Sequence, residues 1–534
     1  MRHLITPTDL PQNMLFDDWQ THWMHTQLDA SALRLLNEGW QGVFRRSVLK
    51  SLPALQIAQL FSELHGRPTK EIFSMVGLLV IMEFKQLTAD EAALAYSLDA
   101  GVQFALNLSR DHQYVCPRTV ENYKRLLREG HELCADIFGL VTANLVAELQ
   151  LDISKQRLDS THVYSYMARL TRSNLMAITV KRFLTQVRRH DPIAHAALPD
   201  ALLQRYAPSE NRIFGYGQNK ADSAALVARL QQTGEDLHYL IEHFSSNPNL
   251  NTRTTWQALV RVFSDHCELI PSKNKRAKPR LTIKEKATDK NGQSSRVLQN
   301  PSDPQAGYHG HKGPGYQVQL AQSYAAENEI NLITACLPQS AAESDSAALH
   351  PVLDQQTDYG LLPKRLLADT AYGSDHNVEH SAECGIALLS PVPGKSPQSA
   401  ASAPASAAAP NSDLTALETP LETPLETPLE TPLETTLETA PDSENPTPHD
   451  ERLARRRQAQ KTETWKKAYA KRSGLEGIHR ALDRVTGIKQ LPVRGEKAVS
   501  LALYLKTTGW NILQVGWVIA QRAIRTRKAA LATC

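Results

Sequence analysis

An α/β domain built on a mixed sheet, with a helical N-terminal domain and a helical insertion, is the fold class that this 534-residue sequence predicts. Three observations carry the prediction. Strand-like runs recur at 156–164, Tyr316–Ala321, Glu329–Cys336 and Arg365–Asp369. Between the first two lies a long stretch of helical periodicity, about 173–270, as in Leu226-Val227-Ala228-Arg229-Leu230 and Leu237–Phe244. Between the last two, Ser344 and Asp345 suit the cap of a helix running to about Gln356. The order is strand, helical insertion, strand, strand, helix, strand, and the length is enough for two or three domains with a sizeable core.

Each element has a local reason. Residues 1–150 read as helical. Thr88-Ala89-Asp90-Glu91 has the form of a capping box, and the eight-residue apolar run Met75–Met82, too short to cross a bilayer, reads as a buried helix. Pro117 and Thr119 open a helix expected to run unbroken from Val120 to about Gln150, and His65-Gly66-Arg67-Pro68 is a turn. Residues 271–290 are basic and broken by proline, an exposed arm or the start of a hairpin. From Leu417 to Pro432 the tetrapeptide Leu-Glu-Thr-Pro repeats four times. A proline every fourth residue blocks helix and a glutamate every fourth keeps the chain solvated, so 396–450 is expected to be an extended, disordered acidic linker. After it the chain turns basic and helical through Arg484. Leu491-Pro492-Val493-Arg494-Gly495 interrupts, and a last helix spans about Lys497 to Lys528, with Trp510 and Trp517 on one core-facing side. The expected parts are a helical N-terminal domain, 1–150; a first catalytic part, 151–395, with its insertion; the linker, 396–450; and a helical part, 451–534, that completes the catalytic domain.

Net charge is only +3, but it is segregated. Residues 396–450 hold ten acidic residues and no Lys or Arg, so taking them away leaves the remainder at +13. Such an excess suits a polyanionic partner. Six scattered cysteines without C-x-x-C spacing indicate neither a zinc knuckle nor a disulfide framework, and they fit a reducing cytoplasm. No signal-peptide pattern and no membrane span are read.

Three acidic residues stand in distinctive contexts. Asp159 ends an extended run in Leu158-Asp159-Ser160-Thr161-His162-Val163, and Asp369 ends another in Leu367-Ala368-Asp369-Thr370-Ala371-Tyr372-Gly373. Glu476 shares a helical face with Tyr469 and Arg472, at i, i+3 and i+7. Two carboxylates at strand ends and one on a helix can converge and hold divalent cations, while an arginine beside them meets a phosphate bidentately. Lys312, in the glycine-rich approach to a strand, is a phosphate-contact candidate. His162, three residues after Asp159, points to the opposite face of a strand and is read as structural, and Tyr372 is read as a packing residue.

These blocks, with Asn300-Pro301-Ser302-Asp303-Pro304 and His309-Gly310-His311-Lys312-Gly313-Pro314-Gly315-Tyr316, resemble the DDE transposases of bacterial insertion sequences. The resemblance covers most of the chain outside 396–450. It implies an RNase H-like fold, a five-stranded mixed sheet flanked by helices. It implies Asp159, Asp369 and Glu476 as catalytic metal ligands for two Mg2+ ions, replaceable by Mn2+ and roughly 3.5–4 Å apart. It implies Tyr469, Arg472, Arg484 and Lys312 on DNA, and cleavage at the terminal inverted repeats followed by transfer to target DNA. A homodimer or larger assembly, working on nucleoid DNA in the cytoplasm, goes with that chemistry.

The chain departs from the family's pattern twice. Asp483 stands where the signature has a basic residue, with Arg484 beside it, and the acidic repeats interrupt the catalytic domain ahead of the glutamate. Two rivals follow: an RNase H-like nuclease without strand transfer, and a degenerate DNA-binding copy without cleavage.

Overall fold

The computed structural model describes Met24 and residues 27–61, 71–108, 113–207, 223–271, 279–394 and 448–532. The turn expected at 65–68, the cations Lys273, Lys275, Arg276 and Lys278, the repeats within 396–447 and Cys534 lie outside these residues. The chain divides into two units, Met1–Ser390 with Tyr469–Cys534, and Pro391–Ala468. In the second, the helix Pro448–Gln460 begins inside the stretch expected as linker and carries an exposed Arg455–Glu451 ion pair at 3.0 Å.

Among the described residues eight strands are formed: β1 Lys155–Val163, β2 Cys267–Ile270, β3 Arg280–Ile283, β4 Gly307–His309, β5 Gly313–Ser323, β6 Ile333–Ser340, β7 Arg365–Leu367 and β8 Ala387–Leu389. Six of them make one mixed sheet in which β6, β5, β1, β7 and β8 lie side by side and β4 pairs the start of β5. β5 runs antiparallel to β1 and to β6, whereas β7 is parallel to β1 and β8 parallel to β7. The sheet is thus mixed, as expected, but has six strands rather than five. The sixth, β4, is a three-residue arm of a hairpin with β5, too short to leave a period-two signal. β2 and β3 pair as a separate hairpin, so the basic stretch after 270 leads into a strand.

β5 explains why its sequence is easy to misread. Tyr316-Gln317-Val318-Gln319-Leu320 alternates like a strand with one wet face. In the fold both faces are covered: Gln317 and Gln319 are as buried as Val318 and Leu320. Two core clusters lie on the two sides of the sheet. Val163, Tyr316, Val318, Leu320, Ile333 and Cys336 pack with the N-terminal helices, and Leu158, Ala321, Ala335, Leu366 and Ala368 with the helix Asp345–Asp358. A third core belongs to the insertion, from Leu175 to Val262 with Cys267 and Leu298.

The N-terminal region is helical. Met75–Met82 lies inside the wholly buried helix Ile72–Phe84. Thr88 and Glu91 form a reciprocal capping box. The long helix expected after Pro117 is instead two, Pro117–Glu129 and Glu132–Leu149. Gly130 closes the first, donating to Leu126 O and lying against Leu60. The helix Glu496–Ala532 packs on Ile72–Phe84 and Glu132–Leu149 as well as on β6. Trp510 is buried there, but Trp517, expected on the same core-facing side, is 56% exposed between the buried Gly516 and Val518. Among the described residues no helix is long and apolar enough to cross a membrane, and Cys116, Cys134, Cys267, Cys336 and Cys384 are free.

Candidate active site beside the paired strands

Asp159 lies in β1 opposite Leu320. Its Oδ1 accepts from the Ser160 backbone N–H at 2.9 Å, and its Oδ2 accepts from Arg472 Nη1 at 3.0 Å. Both side chains of this ion pair are largely buried. Asp369 follows β7, the strand beside β1, and caps the short 3-10 turn Thr370–Tyr372. Its Oδ1 accepts from Thr370 N–H at 2.5 Å, and Ser390 Oγ donates to its backbone carbonyl. Asp159 thus lies in the middle of β1 rather than ending it, because β5 pairs with the strand through Val163, and parallel pairing with β7 sets Asp159 level with Asp369.

Burial pushes the Asp159 carboxyl above the usual carboxylate range. Arg472 and the Ser160 N–H pull it back, while the charges of Asp369 and Asp345 push it up again. Tyr469 belongs to the same group: the Arg472 guanidinium lies 5.9 Å from its ring centre. Burial raises its phenol, which feels Arg472, Asp369 and Asp159 in turn.

Tyr469, Arg472 and Glu476 do not share one continuous helix. Tyr469 lies near the end of the helix Glu463–Ala470, Arg472 sits in the 3-10 turn Lys471–Ser473, and Glu476 opens the helix Gly474–Thr486. The cause is Arg157 of β1. Its Nη1 donates to Lys471 O at 2.9 Å, the carbonyl that residue 475 would use in an unbroken α-helix. The guanidinium, held from its other side by Gln322 Oε1, fills the space where a Cβ on Gly474 would stand. Arg472 thereby reaches Asp159, whereas Glu476 remains exposed on the first turn of the next helix.

Carboxylate oxygens are the donors that a hard divalent cation takes, and Asp159 and Asp369 supply them. Among the described residues no group of three or more His, Cys, Asp or Glu is arranged to hold a metal ion. The donors fit such a cation in kind, with the third acid standing apart and Arg472 supplying the positive charge at Asp159.

The surroundings are cationic. His479, buried one turn beyond Glu476, is pushed down to about 4, first by burial and then by Lys489, Lys312, Arg157 and Arg472. Lys312 is exposed in the β4–β5 turn, its backbone carbonyl accepting from Tyr164 OH. His162 is buried against Tyr164, on the face of β1 away from Asp159, as its spacing implies. Arg484 is exposed toward the far end of the helix from Glu476. Asp483 does not project freely: its Oδ1 accepts from Lys489 N–H at 2.9 Å and ties down the turn that follows the helix.

Sequence reading assigned Asp345 to a helix start and nothing more. Its Oδ2 accepts from Ser160 Oγ at 3.1 Å and its Oδ1 from Gln319 Nε2 at 2.8 Å, so it stands directly behind the strand that bears Asp159. A Ser-Asp pair at a helix N-terminus carries no local sign of that.

No curated protein and no solved structure matches the chain. Residues 443–515 match the family model described as a transposase DDE domain. That segment holds Tyr469, Arg472 and Glu476, and transposases of this family act on DNA and generally use divalent metal ions. This segment, whose Arg472 is paired with Asp159, supports a DDE-type transposase.

Proposed function

We propose that the protein is an insertion-sequence transposase that cuts DNA at the terminal inverted repeats of its element and joins the freed ends to target DNA. One observation carries the reading: the Arg472–Asp159 ion pair joins the family-matched segment to β1 at the residue level with Asp369. Asp159, Asp369 and Glu476 are the catalytic acids in this reading. The six-stranded mixed sheet, with β5 alone antiparallel in its five-strand core, supports an RNase H-like domain.

When bound, two divalent ions, Mg2+ or Mn2+, supply an activated attacking oxygen and stabilise the leaving oxygen. The chain's own residues do the rest. Asp159, within β1, and Asp369, just past β7, would hold the cations. Glu476, one turn from Arg472, would be the third carboxylate. Arg472 exchanges Asp159 for a phosphate, which its planar fork can meet bidentately. Lys312, Lys489 and Arg157 draw the backbone toward these residues. Tyr469 packs beside the phosphate, and Arg484 extends the contact along the helix. Joining two element ends calls for a homodimer or larger assembly, at work on nucleoid DNA in the cytoplasm.

The test is cleavage of a labelled duplex carrying the element's terminal repeats, in Mg2+ or in Ca2+. Wild type nicks at the repeat boundary in Mg2+ only, and Asp159→Asn loses at least about 100-fold, since even residues behind a metal ligand cost about 10–100-fold. Tight binding without nicking by wild type would favour a degenerate DNA-binding copy. Nicking with no joined product would favour a nuclease without strand transfer.

A further inference from the structure

Behind the two aspartates lies a closed hydrogen-bonded network. β1 and β5 pair Ser160 with Gln319, so the two side chains share the face of the sheet opposite Asp159. Asp345, the first residue of the helix Asp345–Asp358, accepts from both. On its other side Gln319 accepts from the Tyr372 hydroxyl, three residues past Asp369. Asn377 ties the same turn to the same helix, donating to Tyr372 O at 3.1 Å and to Ser346 O at 2.9 Å.

The orientation of the Gln319 amide is fixed by chemistry. An ionised carboxylate only accepts, so the amide nitrogen faces Asp345 and the amide oxygen faces Tyr372. Gln319, Tyr372 and Asn377 are buried, and Tyr372, whose phenol is held neutral by burial, must donate. Ser160 and Asp345 are half-buried, and Gln319 Nε2 also donates to Gln339 Oε1 at 3.2 Å, so each link narrows the arrangements open to the others. At one end it grips Ser160, whose N–H holds the Asp159 carboxylate. At the other it grips the turn that Asp369 caps.

We propose that Asp345, working through Ser160 and through Gln319 to Tyr372, is a positioning residue that sets the separation of Asp159 and Asp369. It differs from the acids of the triad in that it faces away from the reacting atoms and acts by geometry. The inference rests on the site reading above.

The experiment measures Mn2+ binding to the full chain by electron paramagnetic resonance, alongside affinity for terminal-repeat DNA in the absence of metal. Asp345→Ala weakens Mn2+ binding about 10–100-fold, the range for residues that orient a ligand, with DNA affinity unchanged. Asp345→Asn offers an acceptor to Gln319 and a donor to Ser160, so it retains Mn2+ affinity within about threefold. If Asn weakens binding as much as Ala, the charge matters and the positioning role is overturned. If Ala has no effect while Asp159→Asn abolishes binding, the network is merely structural. If Asp159→Asn itself leaves Mn2+ binding intact, the site reading fails and the inference with it. Should Asp345→Ala not fold, Ser160→Ala and Tyr372→Phe, each removing one hydroxyl, carry the same test: both weaken Mn2+ binding, and unchanged binding in both overturns the proposal.

Discussion

At Asp159 one guanidinium balances a largely buried carboxylate against two neighbouring acids. The pairing matters because an unpaired buried charge costs several kcal/mol. The departure at Asp483 reads differently at the same scale. An aspartate in place of a basic residue suggests repulsion of DNA, but its Oδ1 is committed to Lys489 N–H. Asp483→Ala should therefore lower stability by about 1 kcal/mol, read as a shift in urea midpoint, and leave affinity for terminal-repeat DNA unchanged. A marked gain in affinity would show that the carboxylate does face DNA. As neighbours, Asp159, Asp369 and Arg472 were legible in the sequence because each sits in a distinctive local block; Glu476, marked in the same way, stays exposed apart from them. Asp345 and Gln319 were not. An aspartate after a serine reads as a helix start, and glutamines alternating with apolar residues read as a wet face. Only the cover supplied by a distant helix turns them inward.

Among the elements, periodicity located the helices and most strands but missed what breaks or ends them. Gly130 splits one expected helix, and Arg157, 314 residues before Lys471 in the chain, interrupts another by taking its carbonyl. Neither a lone glycine nor a remote arginine announces that role. The helix Glu496–Ala532 shows the reverse case, a predicted helix with an unpredicted face. Gly509 and Gly516, two turns apart, let Phe84 and Trp40 approach its backbone. A Cβ on Gly516 would lie 2.7 Å from Trp40 Cα, and Trp40 in turn packs edge-on against Phe84 at 5.4 Å. Gly509→Ala, forcing a methyl into Phe84, should cost about 1–3 kcal/mol by overpacking. Thermal unfolding would register it, and an unchanged midpoint would mean that the helix is not seated this closely.

For the whole molecule, buried histidines set the acid limit. His266 is pushed down to about 4 by burial together with Arg172 and Lys284. It accepts a hydrogen bond from Arg172, so it stays neutral. His479, also at about 4, is surrounded by four cations. The folded values lie below the unfolded value of about 6.5. Their contribution is thus fully present above pH 6.5 and is lost as pH falls from there toward 4. Each histidine contributes a slope of about 1.4 kcal/mol per pH unit within that window. Urea midpoints at a series of pH values should fall between 6.5 and 4, and His479→Gln should shallow the decline. A flat profile would mean that these rings are hydrated.

The helix Ile72–Phe84, apolar on every side, finds much of its cover in the helix Glu496–Ala532. On a ribosome these two are not made together. At about 5–20 residues per second, the second is synthesised roughly 20–80 s after the first. For that time the earlier helix must stay soluble without its partner, and Asp159 and Asp369 exist without Arg472. The order of synthesis thus becomes an order of assembly, in which the arginine reaches the aspartates on the same late segment that covers the core. A nascent chain thus carries the two aspartates well before it carries the arginine that pairs with one of them.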